Sequence, residues 1–255
     1  MELFHKILVT SSKGGIGKST VSLGVAAALA ARGRRVLLAD CDAGNRCLDL
    51  MLGLEDRVLY DWSDAAAGHC APEDALLAVP EREGLLFCAA PQEAADPGAL
   101  PETLEALARA AEAEFVLCDT AGSGAIVRAV ASGFADGALV IATQQPAAIR
   151  AAEHTAALME EWGRLPCRLV ISAFEESAAE GRERAGLIEI IDRTHVRTVG
   201  VVPRDRALLL SQEAGRLPDA RMRAGRAFDN IAGRLTGENI RLFSGIRHIR
   251  TRCVL

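Results

Sequence analysis

"KILVTSSKGGIGKSTVSLGVAAALAARG", residues 6–33, runs from a short β-rich stretch through a glycine-rich loop into an Ala- and Leu-rich helical pattern. Glycines in such a loop let backbone N–H groups turn inward around phosphate oxygens, and the helix start adds the positive end of its dipole. Lys18 sits where an ammonium meets the β and γ phosphates, Ser19 where a hydroxyl ligates Mg²⁺, and Thr20 where a hydroxyl reaches a phosphate further back. The nucleotide-binding set expected from the loop is therefore Gly14, Gly15, Ile16, Gly17, Lys18, Ser19 and Thr20, with Lys13 left to be accounted for. The spacing GxxxxGK[ST] fails at its first glycine, because Ser12 stands there. Lysine usage sharpens the reading. Of 29 Lys and Arg residues only Lys6, Lys13 and Lys18 are Lys, so two of the three lie in this loop. A compact ammonium and a planar guanidinium are not equivalent at a phosphate.

Outward from the loop, continuous apolar runs alternate with helical patterns. The strand candidates are 6–10, 35–40, 85–90, 115–119, 137–143, 168–172 and 198–202, with helices over 19–32, 101–112 and 147–162. Apolar strands alternating with helices predict an α/β fold, a doubly wound and mostly parallel sheet covered on both faces. Ligands of such folds bind at the carboxyl ends of the strands. "VLLADCDAG" ends one run with Asp40 and Asp42 at alternate positions, and "FVLCDTAG" ends another with Asp119. Each could be a helix cap or turn residue. Beside a phosphate loop, carboxylates at these places suit a Mg²⁺ ion and an attacking water.

Bulk properties narrow the class. The 255 residues are half apolar and a quarter charged, as in a globular protein, with no apolar run long enough to span a membrane and no signal-peptide pattern at the start. A cytoplasmic protein is expected. Seven scattered cysteines without a CxxC pair disfavour a zinc site, a disulfide framework or a bridging iron–sulfur cluster. Net charge is −5, yet residues 216–255 hold nine Arg against Asp219, Asp229 and Glu238, leaving an acidic body. Specific nucleic-acid binding by that body is not expected.

Lys13 needs its own account. Two lysines aimed at one nucleotide would repel by roughly 4 kcal/mol at 4 Å and an effective dielectric of 20, unless phosphate charge offsets this. One resolution is that Lys13 serves a different nucleotide. "KGGIGKS" resembles the deviant Walker A motif of the MinD/ParA family of P-loop ATPases, in which the first lysine reaches across a dimer to the partner's phosphates. That family does not require a glycine at position 12. The resemblance implies ATP and Mg²⁺ as cofactors and an ATP-dependent homodimer. It also implies catalytic roles for Lys13, Lys18 and Asp42, with Asp42 positioning the hydrolytic water. Magnesium would be held by Ser19 and Asp119, with Asp40 acting on it at one remove. "DCDAGNRCLDLMLGLEDRVLYDW" (40–62), "FADGALVIATQQPAAIRAAEH" (134–154) and "GVVPRDRALLLSQEAGRLP" (200–218) resemble the MinD-like branch, and the likeness spans residues 6–218. "DTAGSG" (119–124) lacks the family's second-switch proline, and Ala151 stands where an acidic residue serves partners. "LVISAFEE" (169–176) lacks the asparagine used for adenine, which leaves the base to the backbone near Pro203 and to Asp205.

The expected division is an ATPase domain over 1–235 and a basic amphipathic tail over 236–255. In "IRLFSGIRHIRTRCVL" (240–255), Leu242, Ile246 and Ile249 share a helical stripe flanked by Phe243, with Arg and His on the other sides. That pattern reads either as a reversible anchor on an anionic membrane or as a terminal helix docked on the body. The anchor reading places the protein peripherally on the inner face of the cell membrane. Functionally, the sequence predicts a slow, dimerising, MinD-like positioning ATPase with an unidentified activator or cargo protein. A ParA-like partitioning ATPase and a nucleotide-sensing adaptor with little turnover are the alternatives.

Overall fold

The computed structural model describes residues 3–122, 124–181 and 183–246. Short apolar runs rich in Val, Ile and Leu become strands β1 (Lys6–Thr10), β2 (Val36–Asp40), β3 (Leu77–Ala78), β4 (Leu85–Cys88), β5 (Phe115–Asp119), β6 (Gly137–Ala142), β7 (Cys167–Phe174) and β8 (Thr198–Pro203). They form one sheet in the order β3-β4-β2-β5-β1-β6-β7-β8, parallel throughout except that β3 pairs antiparallel with β4. The expected α/β fold is thus observed. β3 is a two-residue edge strand that no periodicity marks. β7 runs further than expected because Ala173, at φ +51°, lies at a bulge that lets Phe174 pair with Pro203.

The helices are α1 (Lys18–Ala31), α2 (Leu48–Leu52), α3 (Trp62–Ala67), α4 (Leu100–Ala110), α5 (Ala125–Gly133), α6 (Pro146–Gly163), α7 (Glu176–Glu180), α8 (Leu187–Thr194), α9 (Arg206–Glu213) and α10 (Arg223–Leu235). Strand side chains alternate between the two faces of the sheet. Ile7, Val9, Leu38 and Leu117 are buried with Leu23 of α1 and Phe228 of α10, whereas Leu8, Leu37, Val116 and Cys118 are buried with Leu104 of α4 and Val130 of α5. The α1 and α10 axes approach closely because Gly24 has no side chain. A Cβ there would fall 2.4 Å from the Phe228 ring.

Beyond Leu235, the end of α10, the described chain continues along the body. Residues 241–246 form turns, with Gly245 at φ +69°, so the predicted helical stripe does not begin at Leu242. Leu242 and Phe243 pack against the β6–β8 layer, and Ile246 is buried in the α1 layer. Asn230 Nδ2 donates to the Ser244 carbonyl (2.7 Å), Arg234 Nε donates to the Ile240 carbonyl (2.9 Å), and Arg32, just past the end of α1, pairs with Glu238 (2.5 Å). These residues are docked on the body. Ile249 and the rest of the expected stripe lie outside the described residues. Among the described residues no helix is long and apolar enough to cross a membrane.

Candidate functional site

Strand β1 is central and delivers the loop at its carboxyl end. Gly17 caps α1 at φ +91°, a conformation open to glycine, and a Cβ on it would lie 2.9 Å from Ser172 Oγ of β7. Lys13 and Lys18 are both half-buried, and neither forms an ion pair among the described residues. Their charge is therefore not consumed within the fold.

On one flank of β1, register places Asp40 of β2 directly beside Asp119 of β5. Both are essentially inaccessible, at 0% and 1% exposure. Burial and the Asp119 charge push the Asp40 carboxyl up to about 7. Burial pushes Asp119 up to about 6, against the Ser19 and Ser22 hydroxyls and the Lys18 charge. Ser22 Oγ donates to Asp119 Oδ1 at 2.8 Å. Asp40 accepts from backbone N–H groups of Asp42 (3.0 Å), Cys47 (3.3 Å) and Leu48 (3.2 Å), so it also secures the start of α2. Asp42 lies just beyond the strand, half-exposed, with Asn45 Nδ2 donating to its Oδ2 at 3.4 Å. It is close enough for its charge to raise Asp119 further.

Two adjacent buried carboxylates and the Ser19 hydroxyl make a hard oxygen donor set deficient in positive charge. That set fits Mg²⁺, which keeps several waters and binds through one or two protein oxygens plus phosphates. Among the described residues no group of three or more His, Cys, Asp or Glu side chains is placed to hold a metal ion by itself. A further orphan lies near the loop. Thr20 Oγ1 donates to Gln212 Oε1 of α9 (3.4 Å), while Gln212 Nε2 is buried without a partner among the described residues.

The other flank of β1 is self-neutralised. Gln144, 1% exposed, accepts from the Glu175 N–H (2.7 Å) and donates to the Glu175 and Ala185 carbonyls (both 3.1 Å). Arg204 and Arg184 both pair with the Glu175 carboxylate and, Arg204 foremost, hold it below its ordinary range. Pro203 closes β8 beside Phe174. Asp205 is occupied as a double cap, since its Oδ1 accepts from Ala207 N–H (3.0 Å) and its Oδ2 from Ala224 N–H (3.1 Å). Its side chain thereby ties α9 to α10, a task the sequence did not announce. Ser22, Cys47, Ser172, Gln212 and Thr155 also meet at the site, although nothing in the spacing of the quoted stretches singled these side chains out. Cys47 Sγ lies 3.4 Å from Ser19 Oγ, and burial pushes that thiol up to about 11.

Residues 7–218 match the family described as the CobQ/CobB/MinD/ParA nucleotide binding domain. The chain is 32% identical over 243 residues to the septum site-determining protein MinD of Bacillus subtilis, covering 92% of this chain and 90% of that one. Among solved structures, a chain of the MinC:MinD cell division protein complex of Aquifex aeolicus superposes with a TM-score of 0.86 at 28% identity, covering 93% and 98% of the two chains. MinD of Pyrococcus horikoshii, complexed with Mg-ADP, gives a TM-score of 0.80 at 22% identity over 92% and 99%, a likeness of fold.

Proposed function

Because the chain belongs to the CobQ/CobB/MinD/ParA nucleotide-binding family, we propose that it is a MinD-like ATPase that dimerises around Mg-ATP and uses slow hydrolysis as a switch. The observation that carries this reading is the charge arrangement of the loop. Lys18 acts on Asp119 of its own subunit, whereas Lys13 has no carboxylate partner among the described residues and is available to the phosphates of a second copy. Such a lysine works as an arginine finger does when supplied in trans.

In this mechanism Gly14 to Gly17 present backbone N–H groups to the phosphates, and Lys18 meets the β and γ oxygens. Thr20 takes an oxygen nearer the ribose. When bound, Mg²⁺ neutralises the charge developing between the β and γ phosphates. Ser19 and Asp119 would hold that ion, Asp40 would order the waters around it, and Asp42, half-exposed just beyond β2, would direct the attacking water. Thr120, whose hydroxyl donates to the Val9 carbonyl at 3.0 Å, fixes the second switch segment to β1.

Reversible membrane attachment is assigned to the segment after Ile246, since the residues before it are spoken for by the body. Two weak anchors in one dimer hold far better than one, which makes attachment follow the nucleotide state. Co-sedimentation with anionic liposomes, in ATP and in ADP, tests this on the full chain and on a chain ending at Ile246. ATP-dependent pelleting that disappears on truncation supports the switch; no pelleting in either state removes it. The missing proline in "DTAGSG" favours one second reading, a nucleotide-sensing adaptor. An ATP dimer that forms normally and releases no phosphate would select it.

A further inference from the structure

Ser12, the residue that breaks the ordinary loop spacing, is fastened to α6 by a single atom. Thr155 is buried at 2% exposure, and its Oγ1 donates to the Ala151 carbonyl at 2.7 Å within the same helix. That bond uses its only proton. Oγ1 must then accept at both remaining contacts, from the Ser12 N–H at 2.9 Å and from the Ser12 hydroxyl at 2.7 Å. Both polar hydrogens of Ser12 thus converge on one oxygen, 143 residues away in sequence. The Ser12 N–H is thereby engaged by α6, at the position immediately before Lys13.

We propose that Thr155 is a positioning residue for Lys13. Its hydroxyl clamps the residue immediately before the lysine, and so sets the direction in which the ammonium leaves its own subunit. This explains why a serine is useful at position 12, where glycine would supply only half of the clamp. It rests on the reading that Lys13 serves the partner's nucleotide. Lys18, Ser19 and Thr20 are anchored separately, through α1, Asp119 and Gln212. The clamp therefore bears on catalysis between subunits and not on capture of nucleotide within one. Misplacing a catalytic group by about 1 Å is enough to cost on the order of 100-fold in rate.

The test compares Thr155→Val, which keeps the shape and removes the hydroxyl, with Thr155→Ser, Ser12→Ala and Lys13→Ala in the full chain. ATP affinity of the monomer, ATP-dependent dimerisation and kcat are measured for each. Thr155→Val is expected to bind ATP within about twofold of the parent and to lose on the order of tenfold or more in kcat. Thr155→Ser is expected to recover most of that loss, and Ser12→Ala to fall between. A loss of ATP affinity in Thr155→Val equal to its loss of kcat would overturn the proposal, as would a Thr155→Ser variant no better than Val. Should Thr155→Val not fold, Ser12→Ala decides alone, and unchanged kcat there overturns the clamp. Lys13→Ala separates the two layers of argument. If it hydrolyses normally, the trans-lysine reading fails and takes the clamp with it. If it is inactive while Thr155→Val is normal, the clamp alone fails.

Discussion

The two flanks of β1 treat charge in opposite ways. Toward β5 and β2, Asp119 and Asp40 are buried side by side without a paired cation, and both carboxyls are pushed upward. Toward β7 and β8, Glu175 is held by two arginines and Asp205 by two backbone N–H groups. Among the described residues the first flank has only the Lys18 charge to offset two buried carboxylates, and no ion pair; the second is complete by itself. An unmet charge kept at a cost in stability marks chemistry, and a met one marks scaffold.

The sharpest way to break this contrast is at Lys18, the cation that reaches toward the deficient flank. Lys18→Ala should weaken ATP binding by about 100-fold or more, as expected for losing a charged contact of about 3 kcal/mol, and calorimetry would read it. Asp119→Asn comes next and should move two quantities in opposite directions. Hydrolysis should fall by roughly 100-fold, while the nucleotide-free protein should gain about 2 kcal/mol at pH 7.5, because a buried charge has been removed. A variant that lost stability as well as activity would mean that the flank is not charge-deficient.

The same contrast has a pH signature. The ordinary carboxyl value is 3.8, while the folded values are about 7 for Asp40 and about 6 for Asp119. Between those limits the folded chain holds protons that the unfolded chain has released, so stability falls as pH rises from about 4 to about 7. The nucleotide-free protein should therefore melt higher at pH 5 than at pH 7.5, and Mg-ATP should shrink that difference. On the complete flank, Asp205→Ala should cost about 2 kcal/mol through two lost caps, measured by denaturant unfolding, with hydrolysis per folded molecule preserved. Arg204→Ala, at an exposed ion pair, should change stability by less than about 1 kcal/mol.

Sequence made the deficient flank legible and hid the complete one. The loop, the pair Asp40 and Asp42, and Asp119 sit in three unbroken strand-to-loop runs, so residue type and spacing coincide with place. The fold was legible for the same reason, since seven of the strands are continuous apolar runs. Thr155, Gln212 and Gln144 lie within ordinary helical or loop composition, and only the fold brings them Ser12, Thr20 and the Glu175 and Ala185 backbone as partners. Asp205 entered only through the resemblance, as a base contact, and its partner at Ala224, 19 residues away, carries no signal. At the end of the chain, a helical stripe is a statement about period alone. Gly245 in a left-handed turn and the bonds to Asn230 and Arg234 decide where Leu242 and Ile246 go.

The contact of Gly24 with the Phe228 ring reaches beyond this molecule into how its relatives can diverge. The two positions are 204 residues apart, yet neither can drift alone: any larger residue at 24 requires a smaller one at 228, and only then can α1 keep its seat against α10. Among relatives of this fold, these positions should change in step, with the sum of their side-chain volumes held nearly constant.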